Sequence, residues 1–409
     1  MVLHSMFREI ISVKNLEAAY IELIGQFAKD SKESHYHGLD NKKIFEYDLD
    51  SKDLLSQIRN ELIEKKSIEP AILLHIPKKS NPAKTREIFI YTLKERVKAQ
   101  AVYRVVLPVF ERSFSDRLFS YRPGKPPYIA SYLFARRYRR RFREDSCLVV
   151  DLHNYSSLID RGYLVEKLKV LFPDEETMEV LKLFIFNHIY DQGMVRQPTR
   201  GIVQGVPLIA LFANLYLSDL DFEYDKRAAF YIRVGDDLAI VDPDSEKLKH
   251  IARELQVKVV NRGLELNQDK LFIGPSREKF SFLGYDFSDG MIRLQKNYIT
   301  QLELGWKNIL VYKHESLAKK KLILKRIMQH EEENFNAQFQ EIIKNKPQIN
   351  DSDQIRKLSE HFFRIMTEFY YGRYSPRNRR LVEPALRTFG IFSLYSHYKR
   401  FHYERDERG

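Results

Sequence analysis

The sequence predicts an α+β protein organised around a small βαββαβ sheet. Apolar residues recur at helical spacing near both ends of the chain, in residues 1–70 and 296–409. Between them, runs rich in β-branched residues at 147–152 and 231–241 predict buried strands, and a helical pattern follows over 244–262. Terminal helices around a central stretch of strands and helices favour the α+β class.

Composition narrows the classes of function. The 409 residues carry a formal net charge of +12, which suits a polyanionic partner, although a merely basic soluble protein has the same property. A single cysteine, Cys147, excludes an internal disulfide framework and a cysteine-rich zinc site, and it fits a reducing compartment.

Targeting signals are not evident in the sequence. The first residues, MVLHSMFREI, lack a cationic start followed by an apolar block, so no signal peptide is expected. No apolar run approaches the about 20 residues needed to cross a bilayer. We therefore expect a cytoplasmic protein that makes no membrane contact.

The N-terminal region changes from helical to strand periodicity. Helices are predicted at about 15–24 and 50–66, and strands at 72–77 and 87–91. The polar hairpin loop 78–86 between the strands carries four cations. These cations could meet an incoming triphosphate, or they could form an ordinary solvated loop.

A basic helix follows a Pro/Gly-rich loop. A helix is predicted over 94–106 and is ended by Pro108, and the loop 119–127 comes next. The helix after it carries the densest basic run of the chain, 136–143. Because this run would be charged on nearly every side, a wet surface and contact with a phosphate backbone both remain open.

Three carboxylates are expected to meet in the predicted sheet. Asp151 ends one apolar strand, and Asp236 and Asp237 lie at the tip of a hairpin whose tight turn Gly235 permits. In a βαββαβ sheet the first strand lies beside this hairpin. A pair of Mg²⁺ ions about 3.5–4 Å apart would offset the repulsion and drive in-line displacement at phosphorus. An ordinary hairpin turn is the alternative for the Asp pair taken alone.

The rest of the chain is mainly helical. Helices are predicted over 160–195 and from Leu208 to Leu220, the second opened by the glycine-flanked loop 201–207. Short strands are expected at 264–267, before Lys270, and at 282–287.

In their order along residues 70–290, these stretches resemble the motifs of reverse transcriptases, especially the compact bacterial enzymes related to group II intron and retron enzymes. The matching stretches are Lys84-Thr85-Arg86 with Glu95-Arg96 and Gln100, Phe119 to Gly124, Asp151-Leu152 with Tyr155, Gln204-Gly205 with Ala213 to Leu217, Val234 to Asp237, Lys270, and Phe282 to Tyr285.

The resemblance implies a right-hand polymerase with fingers, a ferredoxin-like βαββαβ palm and a helical thumb. Residues 1–125 would form the N-terminal helices and the fingers. Residues 126–295 would form the palm, with a helical fingers insertion at about 160–200, and residues 296–409 would form the thumb.

The resemblance also implies roles for single residues. Asp151 and Asp236 would ligate two Mg²⁺ ions, with Asp237 in support and the Leu152 carbonyl as a further ligand. Lys270 could protonate the leaving pyrophosphate, or it could be a surface lysine. The triphosphate of the incoming dNTP would contact Lys79, Lys84 and Arg86. Gln204 would also contact the nucleotide, and Tyr155 or Ser156 would contact its sugar.

Three positions depart from the family pattern. Val234 stands where the family usually has Tyr, and the resulting Gly-Asp-Asp resembles viral RNA-dependent RNA polymerases. Ile209-Ala210 stands where Ser-Pro is expected. Ser156 stands where many members carry an aromatic residue that blocks a ribose 2′-OH. Either Ser156 loosens sugar discrimination, or Tyr155 swings into the gate.

The resemblance implies an RNA template and a DNA product. Because signatures of RNase H, homing endonuclease and retron enzymes are not found, the chain is most similar to defence-associated and abortive-infection reverse transcriptases, with a non-coding RNA template and partner defence proteins. Template-independent or protein-primed synthesis of repetitive DNA is one alternative. A catalytically silent RNA-binding scaffold is another, and a homo-oligomer is left open.

Overall fold

The computed structural model of the chain describes residues 5–29, 38–42, 52–78, 81–329 and 334–406.

The chain divides into two compact units. The first comprises Met1–Ala130 and Glu144–Pro275, and the second comprises Ser131–Arg143 and Ser276–Gly409. In the described residues, no helix is both long enough and apolar enough to cross a membrane.

The helices are α1 (Met6–Ile10), α2 (Val13–Lys29), α3 (Lys52–Ile63), α4 (Leu93–Arg112), α5 (Pro127–Arg141), α6 (Tyr155–Leu158), α7 (Arg161–Leu171), α8 (Glu175–Ile185), α9 (Pro207–Tyr216), α10 (Ser218–Arg227), α11 (Ser245–Asn261), α12 (Lys296–Lys307), α13 (Leu317–Gln329), α14 (Phe335–Asn345), α15 (Ser352–Tyr371), α16 (Pro376–Arg387) and α17 (Leu394–Asp406). Short 3₁₀ helices span Gln268–Lys270 and Asn308–Tyr312.

The strands are β1 (Ala71–Lys78), β2 (Asn81–Ile90), β3 (Ser146–His153), β4 (Ile189–Asp191), β5 (Met194–Arg196), β6 (Phe230–Val234), β7 (Asp237–Asp242), β8 (Glu265–Leu266), β9 (Phe272–Pro275), β10 (Phe280–Phe282), β11 (Tyr285–Ser288) and β12 (Met291–Leu294).

The central sheet of the first unit has the predicted βαββαβ form. Its strands run in the order β6-β7-β3-β9, every neighbouring pair is antiparallel, and β8 pairs with the end of β3. All residues of β3 except His153 are buried, which explains its continuous apolar run. The α+β fold with a ferredoxin-like palm sheet is confirmed.

Aromatic packing anchors helix α4 in the core of the first unit. The ring of Phe110 lies 5.3 Å from that of Phe172 and 6.2 Å from that of Phe212. The prediction that Pro108 ends this helix is wrong, because α4 continues to Arg112. Pro108 lies on the exposed side, and burial of Val106 and Phe110 on the other side stabilises the helix across the lost hydrogen bond.

The first hairpin is longer than predicted. Strands β1 and β2 pair as far as Lys78 and Asn81, so most of the predicted polar loop 78–86 belongs to β2. Strand β2 lies at the edge of the sheet β2-β1-β4-β5, and Thr85 and Arg86 are exposed there. An edge strand tolerates polar residues, so the polar stretch did not require a loop.

The predicted helical stretch 160–195 ends earlier than expected. Helices α7 and α8 reach Ile185, and the hairpin of β4 and β5 follows. Gln192 and Gly193 both have positive φ, +48° and +88°, which suits the tight turn of a two-residue hairpin. The apolar residues that continued the helical pattern therefore belong to strands.

A three-stranded antiparallel sheet opens the C-terminal part of the second unit. Strands β10, β11 and β12 pair in sequence order, so the single strand predicted at 282–287 is two strands joined by Leu283 and Gly284. Both joining residues have positive φ. Helix α5 packs on this sheet through Phe134 and Tyr138, whose rings lie 5.1 and 4.9 Å from that of Phe287.

The basic run 136–143 is therefore not exposed to solvent on every side, because Tyr138 within it is buried. The prediction of a mostly helical region after residue 296 is confirmed. Its core includes Trp306, whose ring makes edge contacts with Phe339 at 5.7 Å and Phe362 at 5.3 Å.

Candidate active site

A two-residue turn places two carboxylates at the tip of the β6–β7 hairpin. Val234 and Asp237 are the last residues paired across the strands, so Gly235 and Asp236 form the turn. Gly235 has a φ of +65°, a conformation that glycine adopts without steric cost. The predicted turn is thus observed, and its positive φ explains why a glycine stands at position 235.

The register of the central sheet brings Asp151 to this turn. Asp151 of β3 is the direct partner of Asp237 of β7, and the Leu152 backbone N–H donates to the Asp236 carbonyl at 3.1 Å. Residues far apart in the chain therefore meet, as the sequence predicted. The Leu152 side chain is apolar and buried, so only its backbone carbonyl could act as a metal ligand.

Asp236 and Asp237 both have raised pKa values. Burial raises the pKa of Asp237 to about 7, and the charges of Asp236 and Asp151 act in the same direction. Burial also raises the pKa of Asp236, with a further contribution from Asp151. Ionised carboxylates held this close together need a cation for charge balance.

Lys270 supplies a positive charge from within the chain. Its ammonium donates to Asp151 Oδ2 at 2.6 Å, and Asn267 Nδ2 donates to Asp151 Oδ1 at 2.7 Å. Burial alone would lower the pKa of Lys270, but the hydrogen bond and the charge of Asp151 outweigh it and raise that pKa. Lys270 therefore belongs to the carboxylate cluster, although more than half of its side chain is exposed.

The side chains of the cluster have oxygen atoms suited to a divalent cation. Among the described residues, no group of three Asp, Glu, His or Cys side chains is arranged to hold a metal ion. At the carboxylate cluster, Asn267 and Lys270 engage both oxygens of Asp151. Carboxylate and carbonyl oxygens are nonetheless the ligands that Mg²⁺ prefers, so the residues fit the ion by their chemistry.

A buried polar network, which sequence reasoning missed, holds the hairpin from behind. Arg233 is fully buried and binds both oxygens of Asp221, at 2.7 and 2.6 Å. The same guanidinium donates to the Gly235 carbonyl at 3.0 Å and to the Asn214 carbonyl at 2.9 Å. An arginine inside an apolar strand was the available signal, since a buried charge requires a partner.

Tyr155 and Ser156 occupy different environments. Tyr155 is buried, and its hydroxyl donates to the Ala213 carbonyl of α9. A gating role for Tyr155 would require it to leave this contact. Ser156 Oγ accepts a hydrogen bond from Gln204 Nε2, so these two predicted nucleotide-binding residues lie side by side.

The glycine of the Gln204-Gly205 pair allows a close backbone approach. Gly205 has a φ of +111°, and a Cβ there would lie 2.6 Å from the Phe89 carbonyl oxygen at the end of β2. The Tyr91 hydroxyl also donates to the Val203 carbonyl at 3.0 Å. The loop that carries Gln204 is thus fixed against the base of the first hairpin.

The predicted triphosphate contacts are only partly described. Arg86 lies exposed on β2. Lys79 and the side chain of Lys84 lie outside the described residues.

Comparison with protein families identifies the family of the chain that carries this site. A family model described as reverse transcriptase (RNA-dependent DNA polymerase) matches residues 76–287, which is more than half of the chain. The chain belongs to the reverse transcriptase family. It is accordingly an RNA-directed DNA polymerase, a nucleotidyltransferase.

Individual relatives of this reverse transcriptase are distant. Protein YkfC of Escherichia coli (strain K12) is 24% identical over 311 residues, which cover 66% of this chain and 78% of YkfC. A solved telomerase from Candida albicans, in complex with a fragment of telomeric RNA, is 14% identical, with a TM-score of 0.45 and coverage of 83% of this chain and 67% of its own. A partial Cas6-RT-Cas1–Cas2 complex is 18% identical, with a TM-score of 0.37 and coverage of 63% and 43%.

The matched region of the reverse transcriptase contains the whole carboxylate cluster. Asp151, Asp236, Asp237 and Lys270 all lie within residues 76–287.

Proposed function

We propose that this reverse transcriptase copies an RNA template into DNA from dNTPs at the cluster of Asp151, Asp236 and Asp237. The observation that carries the proposal is the register of β3 and β7, which pairs Asp151 with Asp237 beside the Asp236 turn. Three carboxylates held together repel one another and destabilise the fold, and a phosphoryl-transfer site that binds divalent cations would explain why the chain keeps them together.

Two Mg²⁺ ions would be held by Asp151, Asp236 and the Leu152 carbonyl, with Asp237 in support. When bound, they would activate the attacking hydroxyl and stabilise the charge of the leaving group. The residues of the chain supply the rest. Lys270, which lies 2.6 Å from Asp151, would give a proton to the departing pyrophosphate.

The incoming nucleotide would lie between the carboxylates and the first hairpin. Arg86, with Lys79 and Lys84, would pair with the triphosphate oxygens. Gln204 and Ser156 would contact the nucleotide, and their mutual hydrogen bond supports placing them at one subsite. Either Ser156 or Tyr155 would contact the sugar of the nucleotide.

The proposed arrangement of the chain is fingers over 1–125, palm over 126–295 with the insertion at about 160–200, and thumb over 296–409. The division of the structure falls at Pro275 rather than at residue 295, and it assigns Ser131–Arg143 to the second unit. Truncation at 275 and at 295 would therefore test where the palm ends.

The proposed biological role is antiviral defence in the bacterial cytoplasm, with a non-coding RNA as template and partner defence proteins. It rests on the resemblance of the motifs to defence-associated enzymes. Expression of the gene with its flanking DNA in a phage-sensitive host should lower phage plating. Asp236→Ala should restore plating, and equal protection by this variant would overturn a role for synthesis in defence.

One assay separates this function from its alternatives. The purified protein is incubated with Mg²⁺ and labelled dNTPs, with and without the RNA that copurifies with it, and the product is sequenced. RNA-complementary product supports the proposal. Repetitive product made without RNA, or product linked to the protein, supports template-independent or protein-primed synthesis. An absence of product with the copurified RNA present supports the RNA-binding scaffold.

A further inference from the structure

The chain segment 117–120, which precedes helix α5, runs alongside strand β6 of the β6–β7 hairpin. Arg233 of β6 donates its backbone N–H to the Arg117 carbonyl at 3.0 Å, and Phe119 donates to the Arg233 carbonyl at 2.9 Å. The bridge between Leu118 and Arg233 is parallel. Residues that follow on the two segments therefore advance in the same direction.

The parallel direction of the two segments continues as far as Ser120 and Gly235. Two residues beyond the bridge, the Gly235 backbone N–H donates to Ser120 Oγ at 2.6 Å. Tyr121 directly follows Ser120 in the chain. It therefore lies one residue from the contact with the turn formed by Gly235 and Asp236.

Tyr121 has a backbone conformation that is unfavourable for tyrosine. Its φ is +52°, in the left-handed region that glycine, asparagine and aspartate adopt most readily. The same loop uses a glycine, Gly124, at its other left-handed position. The chain therefore keeps a large aromatic residue where a smaller one would fit with less strain, which points to a use for the ring.

The ring of Tyr121 is presented to solvent. The residue is 74% exposed, and within the described part of the chain no hydrogen bond, ion pair or ring contact involves it. A single exposed aromatic residue would mean little by itself. Here exposure, positive φ and proximity to the catalytic turn coincide.

The neighbours of Tyr121 are rigidly held. Ser120 is buried and accepts the Gly235 N–H, and Asn214 Nδ2 donates to the Ser120 carbonyl at 2.7 Å. On the other side, the buried Arg122 binds the Ser115 and Leu118 carbonyls at 2.6 and 3.0 Å and forms an ion pair with Glu111 at 2.9 Å. The ring is therefore displayed from a fixed platform and loses little freedom on binding.

We propose that Tyr121 is a stacking surface for a nucleobase beside the Asp236 turn. The inference deepens the proposed polymerase function and rests on it. A tyrosine ring stacks on any base, because every base offers a π-face, and stacking tolerates the changing sequence of a copied strand. The base belongs either to the template–primer or to the incoming dNTP.

The test uses Tyr121→Gly and Tyr121→Phe in the full chain, with Tyr128→Ala as the control. Tyr128 is also an exposed tyrosine, but it lies in the first turn of a helix. The thermal midpoint of unfolding, the Kd for a labelled template–primer and the KM for dNTP are measured. Synthesis by the wild type and by Asp236→Asn is measured alongside.

The expected result is that stability and binding change in opposite directions. Tyr121→Gly should raise the midpoint, since it relieves the left-handed conformation, while Kd or KM rises about tenfold because base stacking is lost. A rise in Kd assigns the base to the strand, and a rise in KM assigns it to the dNTP. Tyr121→Phe and Tyr128→Ala should retain wild-type values.

Two results would overturn the inference. One is wild-type Kd and KM in Tyr121→Gly. The other is an equal loss in Tyr121→Phe and Tyr121→Gly, which would assign the role to the hydroxyl rather than to the ring. Failure of the proposed function is separate, because it would appear as a lack of Asp236-dependent product in the wild type. In that case the Kd for the labelled template–primer and the Kd for dNTP, both measured without synthesis, would still decide the role of Tyr121.

Discussion

Asp151 and Asp237 are direct partners across two antiparallel strands of the central sheet. Because side chains alternate between the faces of a sheet, a slip of one residue in this register would send one carboxylate to the opposite face. The Leu152 N–H bond to the Asp236 carbonyl, 3.1 Å long, helps to fix the register at the end of the strand pair. The register of the sheet therefore determines the relative positions of the carboxylates in the candidate site.

The buried pair of Arg233 and Asp221 should be essential to the fold and to the hairpin. Arg233→Met leaves Asp221 charged and buried, so we expect a loss of about 3–5 kcal/mol of unfolding free energy. Urea unfolding measures this loss. The double variant Arg233→Met with Asp221→Leu should recover much of the stability but not the synthesis rate, because the bond to the Gly235 carbonyl remains absent. Full recovery of synthesis would show that the arginine acts through stability alone.

Lys270→Met should slow nucleotide incorporation about 100-fold if the ammonium protonates the leaving pyrophosphate, a typical size for general acid catalysis. Rapid-quench measurement of a single incorporation gives the rate. Lys247→Met is the matched control, because Lys247 pairs with Asp242 at the other end of β7, at 2.7 Å. A surface role for Lys270 would appear as equal rates in the two variants.

Sugar discrimination should depend on Ser156 more than on Tyr155. Ser156 is next to Gln204, whereas the Tyr155 hydroxyl is bonded to the Ala213 carbonyl. We expect Ser156→Ala to reduce rNTP use relative to dNTP use, because a hydrogen bond to the 2′-OH is lost. The ratio of kcat/KM for the two substrates measures this. Strong exclusion of rNTPs that survives Ser156→Ala but is lost in Tyr155→Ala would reverse the assignment.

An acid-sensitive cluster should stabilise the N-terminal helices. Burial alone would raise the pKa of Glu61, but Lys98, Lys94 and Lys66 outweigh it and lower that pKa to about 2 from 4.5. A carboxyl with a lowered pKa in the folded state stabilises the fold above pH 4.5, and this contribution is lost as the pH falls toward 2. Unfolding free energies measured over this range should fall more steeply in the wild type than in Glu61→Gln. Parallel curves would contradict the assignment.

Local patterns in the sequence were sufficient to predict the central sheet and its carboxylates. The apolar run before Asp151 and the glycine before Asp236 each specify a structure within a few residues. The meeting of these segments followed from the topology of a βαββαβ sheet, which has few alternatives once its elements are known.

The remaining features depend on tertiary contacts that a local pattern does not contain. Pro108 stays within a helix because neighbouring residues are buried. The partner of Arg233 lies on helix α10, at Asp221, and is specified only by the packing of that helix against β6. The exposure of Tyr121 likewise depends on the hydrogen bonds of its neighbours, which join Ser120 to Gly235 of the distant hairpin and Arg122 to Ser115.

The most direct test of the account is RNA-templated primer extension by Asp151→Asn and Asp236→Asn, with Asp242→Asn as the control. Asp242 is also a buried carboxylate, but it lies at the far end of β7 from the hairpin tip. We predict that the first two variants keep their fold and lose at least about 1,000-fold in extension rate, because they lose charge that the divalent ions require. Asp242→Asn should remain active. Extension at the wild-type rate by a folded Asp151→Asn or Asp236→Asn protein would contradict the account.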